Sequence, residues 1–302
     1  MSRFRPEMRG FGAAVAAFAI AGLVPVAEAQ VQSVAQRKCF SAMAGDVTRV
    51  DITQARESEK CVGDYAFGKL TTMTVTDCQT ADRKGKLARL ETRIGAKQMD
   101  ICAGAAEPDF GYAAATDLVA GVSAPQADFL ADVLGTPPEA VIVDRTGGGN
   151  RDEAICQNSL LKGADRIVAG ALRAFAFCGK KGLRRAADPF DSAADLAGCI
   201  DDAKVETKIG RAVTTLGNKL AGRCTGRGVD YTTVVGGACA AEPSAGDYVD
   251  CLAVKALCQA CLATNGGYDL GIDCDEIDND LLDGSCSSSS PIGAFVDGPI
   301  LY

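Results

Sequence analysis

Cys258-Gln259-Ala260-Cys261 has the C-x-x-C spacing of a dithiol redox pair. The acidic run that follows, Asp273, Asp275, Glu276, Asp278, Asp280 and Asp283 between Cys274 and Cys286, has the oxygen density of a loop that holds a hard cation. Each chemistry has a physical requirement. A redox cysteine needs a lowered thiol pKa, which a helix N-terminus supplies. The helix expected over residues 247–264 instead puts both thiols near its C-terminal end, where the dipole has the wrong sign. Neighbouring cysteines offer structural partners, so a disulfide role stands ahead of an oxidoreductase role for Cys258 and Cys261. Leu262 after Cys261 excludes covalent haem attachment. For calcium the candidate ligands are Asp273, Asp275, Asp278, Asp280 and Asp283. The run lacks the D-x-[DN]-x-[DN]-G order and the twelfth-position Glu of an EF-hand, so a solvated acidic loop held by two bridges is the expectation and calcium the alternative. Lys180, Lys181, Arg184 and Arg185 form a basic cluster that reads as a solvated loop, with an acidic partner or polysaccharide as its alternative.

The rest of the composition removes whole classes of activity. There is no histidine among 302 residues, so Ser-His-Asp and Cys-His nucleophiles and His-ligated zinc are excluded. No G-x-S-x-G turn is present, and Gly147-Gly148-Gly149 lacks the lysine and hydroxyl of a phosphate loop. With 31 Lys and Arg against 39 Asp and Glu, the net charge of -8 argues against a nucleic-acid partner for the protein as a whole. The expectation is a protein that is not an enzyme and carries no cofactor, unless calcium is one.

The elements that position these residues emerge from the 14 cysteines. Cys39, Cys61, Cys78 and Cys102 are separated by 22, 17 and 24 residues; Cys156, Cys178, Cys199 and Cys224 by 22, 21 and 25. Those spacings read as two copies of one unit. Leu87, Leu90, Ile94 and Ile101 in the first correspond to Val205, Ile209, Val213, Leu216 and Leu220 in the second, at the intervals of one helix face. Leu161, Val168, Leu172 and Phe175 give the second leading helix the same periodicity. The first leading helix is less favoured locally, because Val47, Thr48, Val50, Ile52 and Thr53 are β-branched and Gly45 interrupts them.

Helix length then selects among disulfide patterns. Twenty-two helical residues span about 33 Å, whereas bridged Cα atoms lie within roughly 7 Å, so cysteines at the two ends of one helix do not pair. Arms of nearly equal length favour the nested pattern: Cys39-Cys102 with Cys61-Cys78, and Cys156-Cys224 with Cys178-Cys199. Each inner bridge contributes about 3 kcal/mol by limiting the unfolded chain. In the last set, steps of seven and three place Cys251, Cys258 and Cys261 on one helix face. If each takes a partner from Cys239, Cys274 and Cys286, six pairings remain open.

Residues 1–29 have the layout of a secretory signal peptide: Arg3, Arg5 and Arg9, an apolar stretch over residues 11–26, then Ala27-Glu28-Ala29. Cleavage after Ala29 would leave no membrane span and an exported chain, extracellular or periplasmic, in an oxidising compartment. Downstream, the expected organisation is hairpin repeat 1 (30–103), a loop-rich linker with short helices at 115–122 and 127–134 (104–155), hairpin repeat 2 (156–226), a cysteine-rich C-terminal module (227–290) and a flexible tail (291–302). The fold class is mainly α: two disulfide-stapled antiparallel helical hairpins from an internal duplication, plus that small module.

Cys156-Gln157, the run from Phe177 and Cys178 through Gly179-Lys180-Lys181-Gly182-Leu183, Cys258-x-x-Cys261-Leu262, Asp273-Cys274-Asp275 and Asp283-Gly284-Ser285-Cys286 together resemble an uncharacterised group of exported bacterial cysteine-rich α-helical repeat proteins. The likeness covers most of the chain after the leader. The first copy departs from it in its shorter loop and its β-branched leading helix. The resemblance implies secretion, helices and disulfides, and it carries no substrate and no catalytic residue. The expected function is a secreted, non-enzymatic binding or structural module whose partner is a protein or surface ligand.

Overall fold

The computed structural model describes residues 33–104, 112–148, 150–182, 198–200, 203–268, 271–279 and 286. The leader read over residues 1–29, the tail at 291–302, Arg184, Arg185, Asp280 and Asp283 lie outside the described residues. So does the side chain of Asp278.

Every regular element among the described residues is helical. The helices whose bounds are described follow in order: α1 (Val34–Ala66), α2 (Val75–Thr80), α3 (Lys86–Ile101), α4 (Ala115–Leu134), α5 (Arg151–Gly182), α6 (Ala203–Arg223), α7 (Ala245–Tyr268) and α8 (Cys274–Asn279). None is long and apolar enough to cross a membrane.

Local chemistry explains several starts. Ser33 and Gln36 form a capping box on α1, the Gln36 N–H donating to Ser33 Oγ at 3.1 Å and the Ser33 N–H to Gln36 Oε1 at 2.7 Å. Thr74 and Asp77 do the same for α2. Helix α3 begins at Gly85, whose φ of +58° suits glycine, and Asp82 accepts from the Lys86 and Ala88 N–H groups at 2.7 and 3.0 Å.

Helix α1 runs 33 residues without a break, straight through the β-branched stretch. Burial outweighs propensity there: Val47 and Val50 are buried in the core, and Thr48 and Thr53 donate their hydroxyls back to the Ala44 and Arg49 carbonyls. Gly45 meets no neighbouring atom. Replacing Gly45 with Ala should therefore raise stability by up to about 1 kcal/mol, read from denaturant midpoints.

The seven bridges are Cys39–Cys102, Cys61–Cys78, Cys156–Cys224, Cys178–Cys199, Cys239–Cys251, Cys258–Cys286 and Cys261–Cys274, with no free cysteine. The first four are nested. Cys39–Cys102 ties the start of α1 to the end of α3, and Cys156–Cys224 ties the start of α5 to the end of α6. The last three form one of the six arrangements that spacing left open.

The segment expected to be a loop-rich linker is different in kind. Instead of two short helices at 115–122 and 127–134, α4 is one 20-residue helix with Pro125 inside it, and α5 begins at Arg151 rather than near Cys156. The proline removes one ladder donor, and α7 bonds the peptide groups beside it. The Gln259 amide, oriented by its partners, donates from Nε2 to the Pro125 carbonyl at 2.7 Å and accepts at Oε1 from the Gln126 N–H at 3.0 Å.

Small residues let α4 and α7 touch backbone to backbone: a Cβ built on Gly121 would sit 2.6 Å from the Gly266 carbonyl. This pair of helices is in extensive contact, and Leu118, Val122, Phe129, Leu252, Ala256 and Ala260 share one core with both hairpins. The hairpins, α4 and the C-terminal helices are thus one packed body, not beads on a linker.

Candidate functional site

The C-x-x-C residues lie on the inner part of α7, which continues to Tyr268, four residues beyond the expected end. Cys258 and Cys261 are buried and bridge different partners, Cys286 and Cys274. A redox pair must close on itself. These two cysteines instead clamp the chain after α7 onto that helix.

The acidic residues are spent locally. Asp273 Oδ1 accepts from the Asp275 N–H, and Asp275 Oδ1 accepts from the Cys286 N–H, each at 3.1 Å. Asp273 is exposed. Among the described residues no three metal-ligating side chains converge. Lys180 and Lys181 lie in the last turn of α5.

The structure assembles a different constellation, on α1. This helix packs against α2, α3, α4, α5 and α7, so it is central and must bury polar residues that spacing alone would leave outside. Asp46 pairs with Arg49 at 2.9 Å and Lys97 at 2.7 Å, and Lys97 also donates to the Ala42 carbonyl at 3.0 Å. Glu57 pairs with Lys86. Gln54 donates to the Gln79 carbonyl at 3.1 Å, and the Gln79 amide donates to Ser58 Oγ at 2.9 Å. These bonds brace α1 against α2 and α3, and they satisfy most of the polar atoms that burial strips of water.

Among the described residues no cation pairs with Asp51. It is 1% exposed, and its Oδ1 has no partner. Burial pushes its carboxyl up to about 7, although the neighbouring Gln259 side chain is its hydrogen-bond contact.

Beside Gln259 lies Gln126, whose Oε1 is 3.4 Å from the Gln259 amide oxygen, too far and with no proton between them for a hydrogen bond. The Gln126 Nε2 donates to Asp165 Oδ1 at 3.0 Å. Asp165 is held well above the usual carboxylate range by burial and by hydrogen-bonded Glu59 beside it. Glu59 lies 3.8 Å from Lys162 at the surface. Asp51, Gln259, Gln126, Asp165 and Glu59 therefore form a row of polar side chains drawn from α1, α4, α5 and α7, without a hydrogen bond between Gln259 and Gln126.

A raised carboxyl paired with another carboxylate is the set that acid–base chemistry uses. What it lacks is room. The adjoining cavity, lined by Ser58, Glu59, Gln126, Phe129, Leu161 and Asp165 among others, measures ≈ 10 Å³, about enough for one water.

Sequence reading missed this line although a trace of it is visible. Between Cys39 and Cys61, the face of α1 carrying Met43, Val47 and Val50 continues as Asp51, Gln54 and Ser58, polar residues at core spacing. Their partners Gln126, Asp165 and Gln259 come from three distant segments, and no spacing rule connects them. In comparison with known proteins, no family model, no curated protein and no solved structure matches the chain.

Proposed function

We propose that this protein is an exported, disulfide-stabilised helical module that works by binding or by structural support through its outer faces, without an enzymatic reaction. The supporting observation is the bridging itself. All 14 cysteines are joined, two bridges within each of the first two cysteine sets and three within the C-terminal segment. Such a framework persists in an oxidising compartment and is reduced in a cytosol.

The reading is tested by expressing the full chain in a bacterial host, fractionating the cells and sequencing the mature N-terminus by mass spectrometry. The expected product begins at Gln30, lies outside the cytoplasm, contains no alkylatable thiol and keeps all seven bridges in glutathione buffer. Retention in the cytoplasm with free thiols would sink the proposal. Selective reduction of the Cys258 or Cys261 bridge while the others survive would move thiol–disulfide exchange ahead of it.

A further inference from the structure

The chain is acidic, yet its charge is unevenly distributed. Helices α5 and α6 together hold eleven Lys or Arg and four Asp or Glu, while the remainder holds 20 and 35. Helical geometry sorts these cations onto one side. Lys162, Arg166, Arg173 and Lys180 of α5 fall within an arc of about 40° and span about 27 Å of axis. On α6, Lys208, Arg211, Lys219 and Arg223 fall within about 120°.

Packing brings the two lines together. Cys156–Cys224 joins one end of the helix pair, and Gly163 lets Leu216 approach so closely that a Cβ there would sit 2.4 Å from Leu216 Cδ1. Further along, Lys208 lies 5.2 Å from the ring of Phe177, which is 47% exposed.

Six of these cations are exposed, and Lys180 and Lys219 are half-buried. Their mutual repulsion is felt: burial, then Arg166, Lys162 and Arg223, hold the Lys219 ammonium below its ordinary range. Among the described residues the carboxylate at ion-pair distance from this face is Glu59, 3.8 Å from Lys162. Like charges this close, with that one carboxylate partner among the described residues, make a surface complementary to an anion.

We propose that the α5–α6 face docks a linear acidic polysaccharide along its two cationic lines, with Phe177 offering an apolar surface to a sugar ring. This partner class rests on the reading of the protein as an exported binding module. A single chain of carboxylate or sulfate groups can follow a narrow stripe about 27 Å long. A duplex nucleic acid or an anionic membrane sheet is broader and would meet the acidic remainder of the molecule.

The test uses the mature, fully bridged protein and a heparin octasaccharide as probe, titrated calorimetrically at 0.15 M salt. The charge-reversed pair Arg166→Glu, Arg173→Glu is compared with Arg89→Glu, Arg93→Glu, which makes the same net change on exposed positions of α3. Unchanged melting temperatures establish that both variants fold. Binding by the unaltered protein, weakened roughly tenfold or more in the α5 variant and less than twofold in the α3 variant, is the expected result. Absence of binding, equal weakening in both variants, or tighter capture of duplex DNA or anionic vesicles would overturn it. Export and bridging are read separately, so an exported, fully bridged protein that ignores the octasaccharide defeats this partner assignment and leaves the module reading standing.

Discussion

Replacing Asp51 with Asn should stabilise the protein by about 4 kcal/mol at pH 8 and by less than about 1 kcal/mol at pH 4. The folded carboxyl titrates near 7 because of burial, against an ordinary 3.8. Between those values the folded chain keeps a proton that the unfolded chain has released, so stability falls as pH rises through the window. Above about 7 the loss is complete; below 3.8 it is absent. Each unit of difference is worth about 1.4 kcal/mol. Asparagine has nearly the same shape and carries no charge to desolvate. Asp165, raised in the same direction by burial and by Glu59, gives the variant a residual slope of the same sign. Urea denaturation of both proteins at pH 4 and pH 8 is the measurement. An equal effect at both pH values would mean that Asp51 is ionised in the fold and that Gln259 presents its N–H to it.

Removing the Cys156–Cys224 bridge with a double alanine variant should cost about 4 kcal/mol, and removing Cys239–Cys251 about 3 kcal/mol. The first spans 68 residues and the second 12, and the restriction a bridge places on the unfolded chain grows with the logarithm of loop length. For a chain of this size the larger loss lowers the melting temperature by roughly 10 °C. The wider bridge also pins α5 to α6 next to Lys219 and Arg223, so its loss should loosen the cationic face as well. A reversed order of the two costs would show that local packing around the sulfurs, not chain restriction, sets their contribution.

The contact between α4 and α7 offers a smaller test of the same core. Gly121→Ala places a methyl 2.6 Å from the Gly266 backbone, where no side chain can yield. It should cost about 2 to 3 kcal/mol, measured by the same denaturant titration. A neutral result would mean that the two helices can separate without loss.

Much of the architecture was legible in the sequence because it rests on local rules. Helical periodicity around Leu90 and Ile94 and around Ile209 and Leu216 identifies the return arms. Cysteine spacing, combined with the rigid length of a helix, leads to the nested pairs that the folded chain makes. The exclusion of histidine chemistry is read from composition alone.

What tertiary structure decided are the features that require distant segments to meet. Pro125 breaks a helix by local rules, yet α4 continues through it, and Gln259, 134 residues away, bonds the peptide groups beside the proline. The β-branched start of α1 is helical because Val47 and Val50 are buried. Cys258 and Cys261 look alike in any window, and only the path of the chain after α7 assigns them to Cys286 and Cys274. Asp51 is one of 39 carboxyl-bearing residues until five helices close around α1 and remove its water. Propensity, periodicity and helix length act within a few turns and can be read along the chain. Burial, charge and hydrogen-bond satisfaction depend on which surfaces the finished fold brings together.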